Sequence, residues 1–311
     1  MDLRQKVLDY HLENFDKLSV ADQFHFAIRM TAWLDLDEAR QRLRELRAHI
    51  APTPETHEAL VVAFRDKLAS KPHDKINAFA TRAPYFEKYP LLYGAELALF
   101  YCHWLQNVYQ IDARQALLDA VDLSTLQQLE QALLKDPQAV QALSTYAANY
   151  IYMLHIDVLQ DSTIPREFFY ELGKSYDTAN IEQAQLFIYL YTHCILCEAH
   201  FYTRTVPAKY LEIYRKMLSA LETVIEAGFD KIHLDSKVEF LVCAQICGYQ
   251  TRLKERIDAE CEQSVSEDGT FIVDTLNANP QAHRRSFTTS EHRNVLYIMS
   301  GTPYQPHSIA V

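Results

Sequence analysis

The sequence predicts an all-α protein: an α/α toroid, or an incomplete toroid, of paired antiparallel helices behind an N-terminal helical segment. Three observations carry this. Nearly every segment spaces its apolar residues at helical intervals. Only six glycines occur in 311 residues, against a usual ~7%, so Gly-rich strand-to-helix turns are scarce. Very apolar helices also alternate with amphipathic ones. A helix that is apolar nearly all round needs cover on most sides, and an amphipathic one can supply it from outside.

The elements follow in order. Residues 3–15, 20–33 and 36–49 read as helices, the last opening on Leu36–Asp37–Glu38, where acids favour the dipole. "APTPETHEALVVAF" (51–64) reads as a helix entry through Thr53 and Pro54. The stretch 71–90 carries Pro72, Pro84 and Pro90 and reads as an irregular bridge. The expected division is therefore an N-terminal helical segment over 1–75 and a toroid-like domain over 90–311. In that domain 93–109, 143–159, 182–202 and 236–250 read as apolar inner helices. The segments 112–121, 125–134, 208–226 and 251–264 read as amphipathic outer ones. Inner elements recur at roughly 40–50 residues, a spacing typical of helical repeats. "GTFIVDTL" (269–276) is a short strand candidate, read as loop.

Composition excludes some functions. There is no GxGxxG, GxxxxGK[ST] or GxSxG, so nucleotide binding through those loops and a nucleophile elbow are not expected. A formal charge of −11 repels phosphate backbones, so no nucleic-acid partner is expected. The arginines of "RQRLRELR" (41–48) alternate with Leu and Glu, as on a solvated helix face. The N-terminus is charged throughout and no run of about 18 apolar residues exists, so no signal peptide or membrane span is expected. The six cysteines then read as reduced thiols of a cytoplasmic protein.

The most distinctive text begins near residue 187. "THCILCEAHFY" holds Thr192–His193 and Phe201–Tyr202, "HLDSKVEFL" holds His233, Asp235 and Glu239, and "DGTF" (268–271) precedes His292. This resembles the DGxF…H repeat grammar of α/α-toroid proteins such as terpene cyclases, prenyltransferase β subunits and lanthionine cyclases. The order of the three motifs is similar to that of a bacterial α/α-toroid family met beside peptide natural-product genes. The resemblance covers about 160–302. It implies the toroid fold and an accessory or binding role toward a peptide or partner protein. The activities of the named enzymes do not carry over. The Trp-Cys-x-Gly and Cys-His-Gly zinc turns of lanthionine cyclases are missing, as are the Asp-rich boxes of terpene synthases.

Four places hold candidate chemistry. His193, Cys197 and His200 stand at i, i+4 and i+7, on one face of the helix read over 182–202. They are zinc or iron ligand types. The ~1.5 Å rise puts the ends of that face over 10 Å apart, so one ion takes at most two of them. The competing reading is a core helix with satisfied polar groups. Glu239 sits in "KVEFLVCAQIC", where a carboxylate is costly unless paired. It is an acid, base or ligand candidate, or else an ion-pair partner of Arg252 or Arg293. Asp235 one turn earlier reads as a helix cap. His292 in "SEHRNVL" opens the last inner helix, where the dipole favours a neutral imidazole suited to a base or ligand. His103 and His155 occupy comparable places on earlier inner helices. Two functions follow. One is a cytosolic binding or accessory protein that takes a peptide or apolar ligand in an aromatic-lined toroid cavity. The other is a metal-assisted or acid–base enzyme built on His193, Glu239 and His292.

Overall fold

The computed structural model describes residues 2–74, 76, 78–273 and 286–311. Among them the protein is all-helical, with an isolated bridge between Val265 and Ile272 and no strand. The helices are α1 (Leu3–Glu13), α2 (Val20–Leu34), α3 (Asp37–Ile50), α4 (His57–Leu68), α5 (Phe79–Lys88) and α6 (Leu92–Asn107). Then come α7 (Arg114–Ala120), α8 (Leu123–Leu134), α9 (Pro137–Leu143), α10 (Thr145–Met153), α11 (Arg166–Gly173) and α12 (Ile181–Glu198). Last are α13 (Leu211–Ala227), α14 (Leu234–Ile246), α15 (Lys254–Gln263) and α16 (Glu291–Ser300). None of the described helices is long and apolar enough to cross a membrane.

Several boundaries differ from the sequence reading, each for a local reason. The helix at 57 starts after Pro54, because Thr56 is the residue whose hydroxyl accepts from Ala59 N–H at 3.2 Å. The bridge 71–90 contains α5, with Pro84 inside it. The expected helix 143–159 is two pieces. Ser144 turns left-handed (φ 49°) after α9, α10 follows, and a π-helical segment, Leu154–Leu159, completes it. Asp136 and Pro137 start α9, with the Asp side chain accepting from Ala139 N–H at 3.2 Å. The loop reading of 269–276 holds through Val273; the rest of it lies outside the described residues.

Two compact units form: Met1–Leu46 with Ala199–Ile309, and Arg47–Glu198 with Ala310–Val311. In the second unit α6, α10 and α12 are neighbours that run the same way. Glu96 and His103 of α6 meet Asn149 and Asp157 in order, and Ser144 and Asn149 meet Leu186 and His193 in order. In the first unit α2, α16 and α14 repeat this arrangement. His25 and Trp33 meet Glu291 and Thr302, while Asp235 and Gln245 meet Arg293 and Ser300. Five of these six helices are the ones the sequence marks as inner. α14 shows why: Val238, Phe240 and Val242 are all fully buried. Each such side chain contributes roughly 1.5–3 kcal/mol by leaving water.

Candidate functional site

The face at His193, Cys197 and His200 does not form as the spacing predicts. α12 ends at Glu198, and His200, Phe201 and Tyr202 all take positive φ (47°, 49° and 77°). Left-handed backbone at three consecutive non-glycine residues persists only where the surroundings over-determine it. Here Tyr202 is buried, with its ring 6.1 Å from Trp33 and Arg29 Nε 3.4 Å from its hydroxyl. Two residues before the first of them, Glu198 is clamped by Arg166 Nε and Nη2, at 2.8 and 3.0 Å. His200 has therefore left the helix that carries His193 and Cys197.

Those two share one partner. Asn149 Oδ1 accepts from His193 Nδ1 at 2.8 Å and from the Cys197 thiol at 3.3 Å. The Asn149 amide donates to Glu96 Oε1 at 3.0 Å. This last bond fixes which way the amide points, so the imidazole proton is assigned to Nδ1. Burial raises the Cys197 thiol well above its ordinary value, so the sulfur is a hydrogen-bonded thiol. Burial also raises the Glu96 carboxyl to about 7, against the opposing pull of Asn149 and Arg82. Among the described residues no group of three or more His, Cys, Asp or Glu side chains is arranged to hold a metal ion. His103 bonds Asp157 at 2.9 Å, and His155 bonds Glu130 at 2.7 Å and Asp161 at 2.6 Å. Burial pulls the His155 pKa down, but these two carboxylates outweigh it and hold the pKa above the ordinary value.

Glu239 and His292 do come together, in the first unit, 3.5 Å apart between Oε2 and Nε2. His193, grouped with them by the sequence, belongs to the second unit. In its place stands His25 of α2. Its Nε2 lies 3.3 Å from His292 Nδ1, and its Nδ1 lies 2.9 Å from Glu291 Oε1. The result is a continuous row, Glu291–His25–His292–Glu239, drawn from α16, α2 and α14. The carboxylates at its ends are 3% and 4% exposed, whereas the imidazoles reach water at 29% and 44%. Burial raises Glu291 to about 7, opposed by Arg29, His292 and His11. The facing nitrogens His25 Nε2 and His292 Nδ1 have room for one shared proton between them.

The neighbours hold this row in register. Asp235 is not a cap: it pairs with Arg293 at 2.6 Å and ties α14 to α16. Arg293 is thus engaged elsewhere, and Arg252 pairs with Glu226, so neither supplies the expected partner of Glu239. The DGxF stretch steadies the start of α16. Gly269 turns with φ 69°, and Ile272 N–H and C=O bond the Asn294 side chain at 2.7 and 3.0 Å. Phe271 packs on Phe287 and Tyr10. Sequence reasoning singled out neither His25 nor Glu291 as a site residue. The available signal was a histidine between Phe24 and Phe26, inside an apolar helix.

No protein family, curated protein or solved structure was found to match this chain.

Proposed function

We propose that the protein is an acid–base enzyme whose proton-transfer group is His292. The observation that carries this is the Glu291–His25–His292–Glu239 row. His25 accepts from His292 Nδ1 and is itself backed by Glu291, which leaves His292 Nε2 as the exchanging nitrogen. This is the nucleus of a base oriented by a third group. The 3.5 Å contact from Nε2 to Glu239 exceeds the usual N–H···O distance of about 2.9 Å. A polar substrate atom can compete for it, and such contacts tighten only around substrate. Protonated, His292 delivers a proton to a leaving group. Deprotonated, it takes one from water or substrate, while buried Glu239 stabilises the cation that forms.

The test is hydrolysis of nitrophenyl acetate, phosphate and glycosides by the wild type and by His292→Asn. The variant should lose about 10²-fold or more on the substrate turned over, the usual contribution of a positioned acid–base group. Equal rates in both proteins, or no turnover of any of the three, would remove this reading.

A second reading keeps the peptide- or apolar-ligand-binding accessory protein, with its link to peptide natural products resting on the motif resemblance alone. It draws on the Phe86–Tyr93–Tyr146 ring cluster of the second unit, with Arg82 over Tyr146. The toroid belongs with these proposals. Its support is that each unit sets three neighbouring helices in one direction, as an inner layer requires.

A further inference from the structure

Far along α14 and α16 from the histidine row lies a second feature, a cleft of about 450 Å³ in the first unit. The size suits a small ligand. From His292 to Ser300 is eight residues, about 12 Å along the helix at its standard rise, so the cleft and the row are separate places.

The sequence "CAQICGYQT" builds one wall. α14 stops in a Schellman motif: Tyr249 N–H bonds Ala244 C=O at 2.8 Å and Gly248 N–H bonds Gln245 C=O at 3.1 Å. Gly248 takes φ 57°, which a side chain would disfavour. The stop throws Tyr249, Gln250 and Thr251 onto the cleft. Buried Glu222 then pins this loop. It accepts from the Tyr249 hydroxyl at 2.7 Å, the Thr251 hydroxyl at 2.6 Å and Arg252 N–H at 2.9 Å. The other wall is the end of α16 with Tyr304, whose hydroxyl donates to Arg204 C=O at 2.7 Å and whose ring lies 4.7 Å from Trp33.

Two chemical features stand out. Both tyrosine hydroxyls are spent on anchoring, so the rings are held in place and offer carbon surface. Of the other polar lining groups, the Thr251 and Ser300 hydroxyls donate to Glu222 and to Tyr297 C=O, and Gln245 Nε2 donates to Ser300 C=O. That leaves the Gln245 side-chain carbonyl and the Gln250 amide to meet a ligand, with Leu241, Ala244 and Pro303 adding carbon surface. Among the described residues Lys254 is the charged lining residue, and it is paired with Asp258. Such a cleft offers no uncompensated charge for an ionic ligand. It offers fixed aromatic surface for C–H groups, whose partial positive charge meets the ring face. It also offers the Gln250 amide, which donates and accepts side by side, and the Gln245 side-chain carbonyl, which accepts, as neighbouring hydroxyls require.

We propose that this cleft binds a neutral sugar of mono- or disaccharide size, with its C–H face on Tyr249 or Tyr304 and its hydroxyls on Gln245 and Gln250. The experiment is saturation-transfer NMR of the full-length protein with glucose, galactose, mannose, N-acetylglucosamine, maltose and cellobiose, followed by titration of the best binder. Transfer to ring protons of at least one sugar is expected. Gln250→Ala should weaken binding about three- to tenfold, the range of one neutral hydrogen bond. Gln250 is exposed, so this variant should fold even if Tyr304→Ala, which should weaken binding further, does not. His292→Asn should bind the sugar as the wild type does, so the fate of the acid–base proposal is read separately. No transfer to any of the six sugars, or unchanged affinity in Gln250→Ala, overturns the proposal.

Discussion

His25 Nε2 and His292 Nδ1 face each other at 3.3 Å, and each ring is backed on its far side by a buried carboxylate. Two facing ring nitrogens share one proton; two N–H groups in that place would repel. The structure therefore requires one of these nitrogens to be bare. Long-range ¹H–¹⁵N spectra at neutral pH should show one protonated and one unprotonated nitrogen at this contact. His25→Asn should then change the tautomer balance at His292, read at both of its ring nitrogens. Finding both facing nitrogens protonated at neutral pH would break the row into two separate pairs.

Glu96 gives the second unit its own pH dependence. Its folded-state pKa is raised to about 7 from an ordinary 4.5. Between those values the folded state binds more protons than the unfolded one, so stability falls as pH rises. The contribution is full below about 4.5 and is lost as pH passes through about 7. Glu96→Gln keeps an acceptor for the Asn149 amide but cannot ionise. Denaturant melts at pH 5 and pH 8 should show the wild type losing about 1–3 kcal/mol relative to this variant. Parallel pH profiles for the two proteins would show that the carboxyl ionises without cost.

Arg166 and Glu198 form a buried bidentate pair, 8% and 6% exposed. Removing one partner leaves the other charge buried and uncompensated, a loss of about 3–5 kcal/mol. Glu198→Ala should show that loss in urea unfolding, and Arg166→Met with Glu198→Leu together should recover much of it. A single variant within about 0.5 kcal/mol of the wild type would mean that the pair is open to water.

The histidine row was only half legible in the sequence. Glu239 stood out because a carboxylate in an apolar helix must find a partner, and His292 because it opens a helix behind a DGxF turn. His25 gave only the signal of a histidine between two phenylalanines, since its partner His292 lies 267 positions away. The single helical face of His193, Cys197 and His200 broke for a related reason. The spacing of His193, Cys197 and His200 assumes an unbroken helix, and what stops α12 is tertiary: the Arg166 clamp on Glu198 and the packing of Tyr202 on Trp33.

By itself the sequence determined the local order of this protein. Apolar spacing, scarce glycine and capping residues make helices, because those preferences act over a turn or two of chain. Only the tertiary structure decided where those helices stop, which carboxylates are paired, and which histidines meet. Hydrogen bonds and burial join residues by distance in space, and periodicity along the chain carries no record of that distance.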